Sequence, residues 1–116
     1  MRPTRPEPDP IPPGWDFSQG QPLPTEFIDN SFTGWDGAAR ITWPKQRYSV
    51  NIEADPAIEL THVYAPGPEL PFFCFEQITH MIDAFNIPAP PEKTGLRVLG
   101  PGEGTGMWVR YSAQRL

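Results

Sequence analysis

The chain has 116 residues, a net charge of −5 and a pI near 4.9, with 38% hydrophobic and 12% aromatic residues. That length holds one domain, and the apolar fraction suffices for a packed core. The acidic balance and the scattered basic residues argue against nucleic acid or an anionic membrane surface as partner, and no apolar run approaches the roughly 20 residues that span a bilayer.

Of the 17 prolines, eight lie in the first 24 residues. Proline has no N–H to donate and a fixed φ, so residues 1–24 are expected to form an extended, polyproline-like arm rather than a helix or a central strand. Within it, WDFSQGQPL carries an aromatic pair, Trp15 and Phe17, which favours docking over free solvation. The start, MRPTRPEPDP, lacks the apolar segment of a signal peptide. One cysteine, Cys74, cannot form an internal disulfide. Together these features lead to the expectation of a cytoplasmic protein.

Residues 25–116 are expected to form a β-sandwich domain. The segment FIDNSFTGWDG, Phe27 to Gly37, gathers Asp29, Asn30 and Asp36 with Phe32 and Trp35, and Asn51 follows further on. Carboxylates and amides beside flat aromatic faces suit the hydroxyls and C–H face of a sugar. The same residues also suit a turn whose Asp and Asn side chains bond their own backbone. Period-two alternation then dominates, in ARITW, RYSVNIE and, from Ile58, IELTHVYA. PFFCFEQ is apolar on both faces, which predicts a central strand covered on both sides. GLRVLG and MWVRYSAQ read as two late strands, and only THMIDAFN, ended by Pro88, could hold a helical turn. WPKQ, EADP, APGPELP, PAPPEKTG and GPGEGTG supply turn chemistry. About six strands with short connections predict an all-β antiparallel sandwich.

Glu76 is the acid inside the most apolar run. On a strand it shares a face with Phe72 and Cys74, opposite Phe73, Phe75 and Gln77. Buried there, it would need a partner or a cleft, and desolvation would raise its pKa toward the range of a general base. Alternatively the strand ends and Glu76 meets solvent. His80, four residues on, reaches back to Glu76 only if the chain turns. His62 shares a face with Leu60 and Tyr64 and reads as a core-edge histidine bonded to a backbone group. Two histidines in different segments, without matching cysteine or acidic spacing, predict no metal site and no cofactor. VLGPGEGTG is glycine-rich but follows no phosphate-loop pattern, and reads as a hairpin connection.

DNSFTGWDGAARITWP, FFCFEQITHMIDAFN and GLRVLGPGEGTGMWVR, in that order, resemble the C-terminal part of aldose 1-epimerases (galactose mutarotase-like proteins). The resemblance runs from about Pro13 to near the C-terminus. It implies part of an antiparallel β-supersandwich and the interconversion of the anomers of free monosaccharides. Glu76, in CFEQITHMIDAFN, matches the family's catalytic base, although Gln77 stands where many relatives have proline. Asp29, in IDNSF, matches a ligand of sugar hydroxyls. The family's general-acid histidine belongs to an N-terminal portion with no counterpart here, and neither His62 nor His80 matches it. His80 is the remaining candidate for lining the site or transferring the second proton. A homo-oligomer is expected to cover the exposed sheet. The alternatives are a non-catalytic carbohydrate-binding or regulatory module, or a truncated inactive homologue.

Overall fold

The computed structural model describes residues 7–116, so residues 1–6 of the expected arm lie outside the described residues. Six strands follow in chain order: β1 Ile28–Thr33, β2 Ala38–Trp43, β3 Tyr48–Ala54, β4 Leu60–Ala65, β5 Cys74–Ile78 and β6 Val109–Arg115. They form two antiparallel three-stranded sheets, ordered β1-β4-β5 and β2-β3-β6. The all-β sandwich expected from the alternation is the fold. No helix of the described residues is long and apolar enough to cross a membrane.

Alternation decides which face each strand buries. In β2 and β3 the cross-strand pairs Ile41↔Val50 and Ala39↔Ile52 turn toward the other sheet, while Arg40, Ser49 and Asn51 turn away. The Arg40 guanidinium donates to the Ser49 hydroxyl at 3.3 Å, which satisfies a fully buried side chain on that outer face. The turn Pro44–Arg47 closes this hairpin through Arg47 N–H to Pro44 C=O at 3.2 Å, and the rings of Trp43 and Tyr48 stack at 4.9 Å across it. In the other sheet Ile28, Val63 and Ala65 form a buried core cluster, with Phe32, Phe73 and Phe75 packed against it.

The two sheets meet through aromatic contacts. Trp43 lies 6.3 Å from Phe73, Trp35 meets Phe75 edge-on at 5.8 Å, and the Tyr111 hydroxyl donates to the Gln77 side-chain carbonyl. Between them an apolar cleft of about 620 Å³, lined in part by Ile41, Val50, Phe72 and Tyr111, remains open.

The described part of the arm, residues 7–24, has neither helix nor strand, and its aromatic pair docks on the chain's own core. Phe17 meets Phe32 edge-on at 6.1 Å, and the Trp15 indole N–H donates to Glu26 at 2.9 Å. Between them Asp16 accepts the Ser18 amide at 3.0 Å. Bonds from the Ser18 side chain and backbone hold the exposed Asp16 carboxyl below its ordinary pKa. A lowered folded-state value means that this small contribution is present at neutral pH and fades as acid protonates Asp16. Removing the half-buried Phe17 ring by Phe17→Ala is expected to lower stability by about 2 kcal/mol, less than a fully buried phenylalanine would lose. A urea midpoint unchanged from the parent chain would show that the arm does not dock in solution.

Several sequence expectations are corrected. DNSFTG, for which a turn was one of two readings, is strand as far as Thr33, within β1. PFFCFEQ is not a central strand, because β5 pairs only with β4 and forms a sheet edge. Its double-sided apolarity arises differently: Phe73 and Phe75 line the cleft, while Phe72, just before β5, lines it as well and also lies 6.2 Å from Tyr64 of the opposite face. GLRVLG is no strand. A short helix α1, Pro91–Thr94, precedes it where a turn was expected, and Gly95 caps that helix with φ +81°. The chain then crosses the end of β5, where a Cβ on Gly95 would come within 2.5 Å of the Thr79 carbonyl oxygen. THMIDAFN holds only the 3₁₀ turn Ala84–Asn86. GPGE closes as a turn, with Glu103 N–H to Gly100 C=O at 3.1 Å and Gly102 at φ +79°, the left-handed position that a Pro-Gly type II turn requires.

Candidate functional site

The register of β1, β4 and β5 assembles a site that no single segment announces. Side chains of paired residues share a face, and the pairs are Asp29↔Tyr64, Ser31↔His62, His62↔Glu76 and Tyr64↔Cys74. One face of this sheet therefore carries Asp29, Ser31, His62, Tyr64, Cys74 and Glu76, with Phe27 and Phe72 just before their strands. The core cluster of Ile28, Val63 and Ala65 lies on the reverse face.

His62 sits at the centre. Its Nε2 is 2.8 Å from Asp29 Oδ1 and its Nδ1 is 2.8 Å from the Ser31 hydroxyl. It is not the histidine bonded to a backbone group that its pattern suggested, since both nitrogens have side-chain partners. The His62 side chain is 11% exposed and that of Asp29 50% exposed, so a buried imidazole anchors a carboxylate that reaches water. The connectivity is that of a Ser-His-Asp triad. An acyl-transfer oxyanion, however, needs preorganised donors aimed at it. Ser31 lies mid-strand, where backbone N–H groups run in the plane of the sheet rather than toward the side-chain face.

Glu76 neighbours His62 across β4 and β5 and is exposed. Of the two readings of PFFCFEQ, burial among phenylalanines and exposure to solvent, exposure holds, although the strand does not end there but runs on to Ile78. Glu76 makes no hydrogen bond or ion pair among the described residues, which leaves its carboxylate open to a ligand.

Beside this polar row stands an aromatic group. Tyr64 meets Phe27 edge-on at 6.0 Å and lies 6.2 Å from Phe72, and Phe27 and Phe72 are 58% and 51% exposed. These rings, not Phe32 and Trp35, offer flat faces next to Asp29. Phe32 belongs to the core face and Trp35 to the contact between sheets. The rest of the expected polar cluster also disperses. Asn30 donates to the Ser31 carbonyl at 3.0 Å, Asp36 accepts the Ala38 amide at 3.0 Å, and Asn51 lies on the outer face of the other sheet.

His80 stands apart from this set. It lies beyond the end of β5, where its Nδ1 is 2.9 Å from the Met81 carbonyl oxygen, and it lines a separate shallow cleft with Arg97 and Thr105. Among the described residues no group of three or more histidine, cysteine or acidic side chains could hold a metal ion. Sequence reasoning missed Ser31 and underrated His62. Their signal was the alternation in IDNSFT and IELTHVYA, but which residues lie opposite each other depends on a pairing that alternation does not reveal.

Comparison with known proteins places this architecture. No protein-family model matches the chain. It is 34% identical over 101 residues to the uncharacterized protein YphB of Escherichia coli (strain K12), an alignment covering 82% of this chain and 34% of YphB. It also superposes on the crystal structure of a putative aldose 1-epimerase from Escherichia coli K12, with a TM-score of 0.77 and 31% identity, over 91% of this chain and 38% of the other. The two sheets are therefore part of an aldose-epimerase fold, and the chain spans little more than a third of the length of either relative.

Proposed function

We propose that the chain handles free monosaccharides on the exposed face of β1, β4 and β5 and interconverts their anomers. The observation that carries this reading is the composition of one open face: the carboxylates of Asp29 and Glu76, an imidazole held against the first, and the exposed rings around Tyr64. Carboxylates accept hydrogen bonds from ring hydroxyls, and an aromatic face accepts the apolar C–H side of a pyranose. Glu76 is the general base. It takes the proton of the anomeric hydroxyl as the ring C–O bond breaks, and the ring oxygen receives a proton from an acid. Rotation about C1–C2 and reclosure give the other anomer. Similarity to a protein described as an aldose epimerase supports the same reaction.

The acid is assigned to a second copy of the chain. His80 is directed to the Met81 carbonyl and stands apart from Glu76; separately, around the cleft on the reverse face, Leu70 and Tyr111 are at least half exposed, an apolar area suited to association. Exchange spectroscopy with glucose and galactose tests the reaction: the folded chain is expected to speed anomer exchange above the buffer rate. No acceleration with either sugar, by a folded and associated chain, would sink the enzymatic reading. Light scattering is expected to give a dimer or larger assembly, and a stable monomer would remove the proposed source of the acid. A binding-only role for the same face predicts sugar titration shifts without any rate.

A further inference from the structure

We propose that His62 is the positioning residue of this site, holding Asp29 in the orientation that receives a sugar hydroxyl. The inference rests on the sugar-binding reading of the face. A buried imidazole must have both nitrogens satisfied, and here each has one partner at 2.8 Å. The two partners dictate the direction of the chain. The Asp29 carboxylate can only accept, so the ring hydrogen sits on Nε2. In the neutral ring Nδ1 then carries the lone pair and accepts from the Ser31 hydroxyl. The order is Ser31 O–H to His62 Nδ1, then His62 Nε2–H to Asp29 Oδ1, each bond polarising the next.

This arrangement sets what Asp29 can do. Oδ1 is occupied, the carboxylate plane is fixed, and Oδ2 is left to accept from a ligand. The fixing agents are themselves fixed, because Ser31 and His62 face each other as a cross-strand pair in the β1–β4 ladder. An unheld aspartate with half its side chain in water would lose rotamer freedom on binding, and His62 removes that loss beforehand. Because Glu76 lies directly across from His62, the same anchor sets the place of the bound hydroxyl relative to the base.

The test uses the full chain labelled with ¹⁵N-histidine, and glucose and galactose as probes. Long-range ¹H–¹⁵N correlation, recorded at a pH where the ring is neutral, is expected to find His62 as the Nε2–H tautomer with an unprotonated Nδ1. The Nδ1–H form, or an averaged mixture, would overturn the proposal. His62→Leu keeps the volume but removes the donor, and is expected to raise KM about tenfold with a much smaller change in kcat. His62→Gln places an amide donor where Nε2 stood and is expected to restore most of the loss. Should the leucine variant fail to fold, Ser31→Ala, which frees Nδ1 and releases the tautomer, is expected to move KM in the same direction. Turnover by the wild type with an unchanged KM in these variants defeats the positioning role alone. Absence of both sugar binding and turnover in the wild type defeats the positioning role together with the sugar reading.

Discussion

Glu76→Gln is expected to lower the enzymatic anomer-exchange rate by about 10²–10⁴-fold, the usual contribution of one proton-transfer group. The size follows from chemistry rather than from any change in shape. Glutamine keeps the length and planarity of the side chain but offers an amide oxygen of negligible basicity, so the proton of the anomeric hydroxyl has nowhere to go. The fold should not register the change, because Glu76 is exposed and makes no hydrogen bond or ion pair among the described residues. A surface substitution of this kind stays within about 0.5 kcal/mol. The expected result is a variant that unfolds at the parent urea midpoint, still gives sugar titration shifts, and has lost its rate. A rate that survives the substitution would remove Glu76 from the reaction. Loss of both rate and binding would make it a ligand of the sugar rather than its base.

Gly95→Ala is expected to destabilise the chain by roughly 2–5 kcal/mol, through two effects that add. Alanine at φ +81° pays the left-handed penalty of an L-residue, about 1–2 kcal/mol. Its Cβ would then lie 2.5 Å from the Thr79 carbonyl oxygen and 2.9 Å from the His80 Cα, contacts that only a backbone shift relieves, at typically 1–3 kcal/mol more. Gly102 separates the two effects. It has φ +79° with nothing within 4 Å of a built Cβ, so Gly102→Ala should show the backbone penalty alone. Urea unfolding of the pair decides the matter. Equal losses would mean that the crossing at Thr79 yields easily, and that Gly95 serves only as a helix cap.

The sandwich was legible in the sequence wherever one face of a strand is buried and the other is wet. ARITW shows this, and RYSVNIE shows it in part, since Ser49 is buried although it alternates outward; both became strands in the expected places. The reading failed where local chemistry and tertiary context disagree. IDNSFT has the composition of a turn, with Asp, Asn and Ser in sequence, yet it pairs along its whole length with β4 because Ile28 and Phe32 supply a core face. GLRVLG has strand composition but runs over the end of β5 behind a capping glycine, where no neighbour offers it a ladder.

The candidate site was half visible. Asp29 and Glu76, which the resemblance named separately, lie on the same sheet face, and His62 lies between them. The importance of His62 was hidden because its partners are 31 and 33 residues away in the chain. Phe32 and Trp35, grouped with Asp29 by their closeness in sequence, pack elsewhere for the same reason. Phe32 is only three residues from Asp29 yet on the opposite face, whereas Tyr64 is far away in sequence and directly across from it.

The alternation of β1 has one more consequence, for how the protein can fail. Asp29 and Ser31 face the site while Ile28 faces the core, and the same ladder to β4 enforces both. A slip of that ladder by one residue would turn Asn30 and Phe32 toward His62, and would in the same motion bring Ile28, fully buried in the native register, out to water. The misaligned strand thus loses its apolar anchor at the moment it loses the carboxylate. Correct placement of the polar groups is therefore proofread by hydrophobic burial, and a chain that holds its core together has its site in register as well.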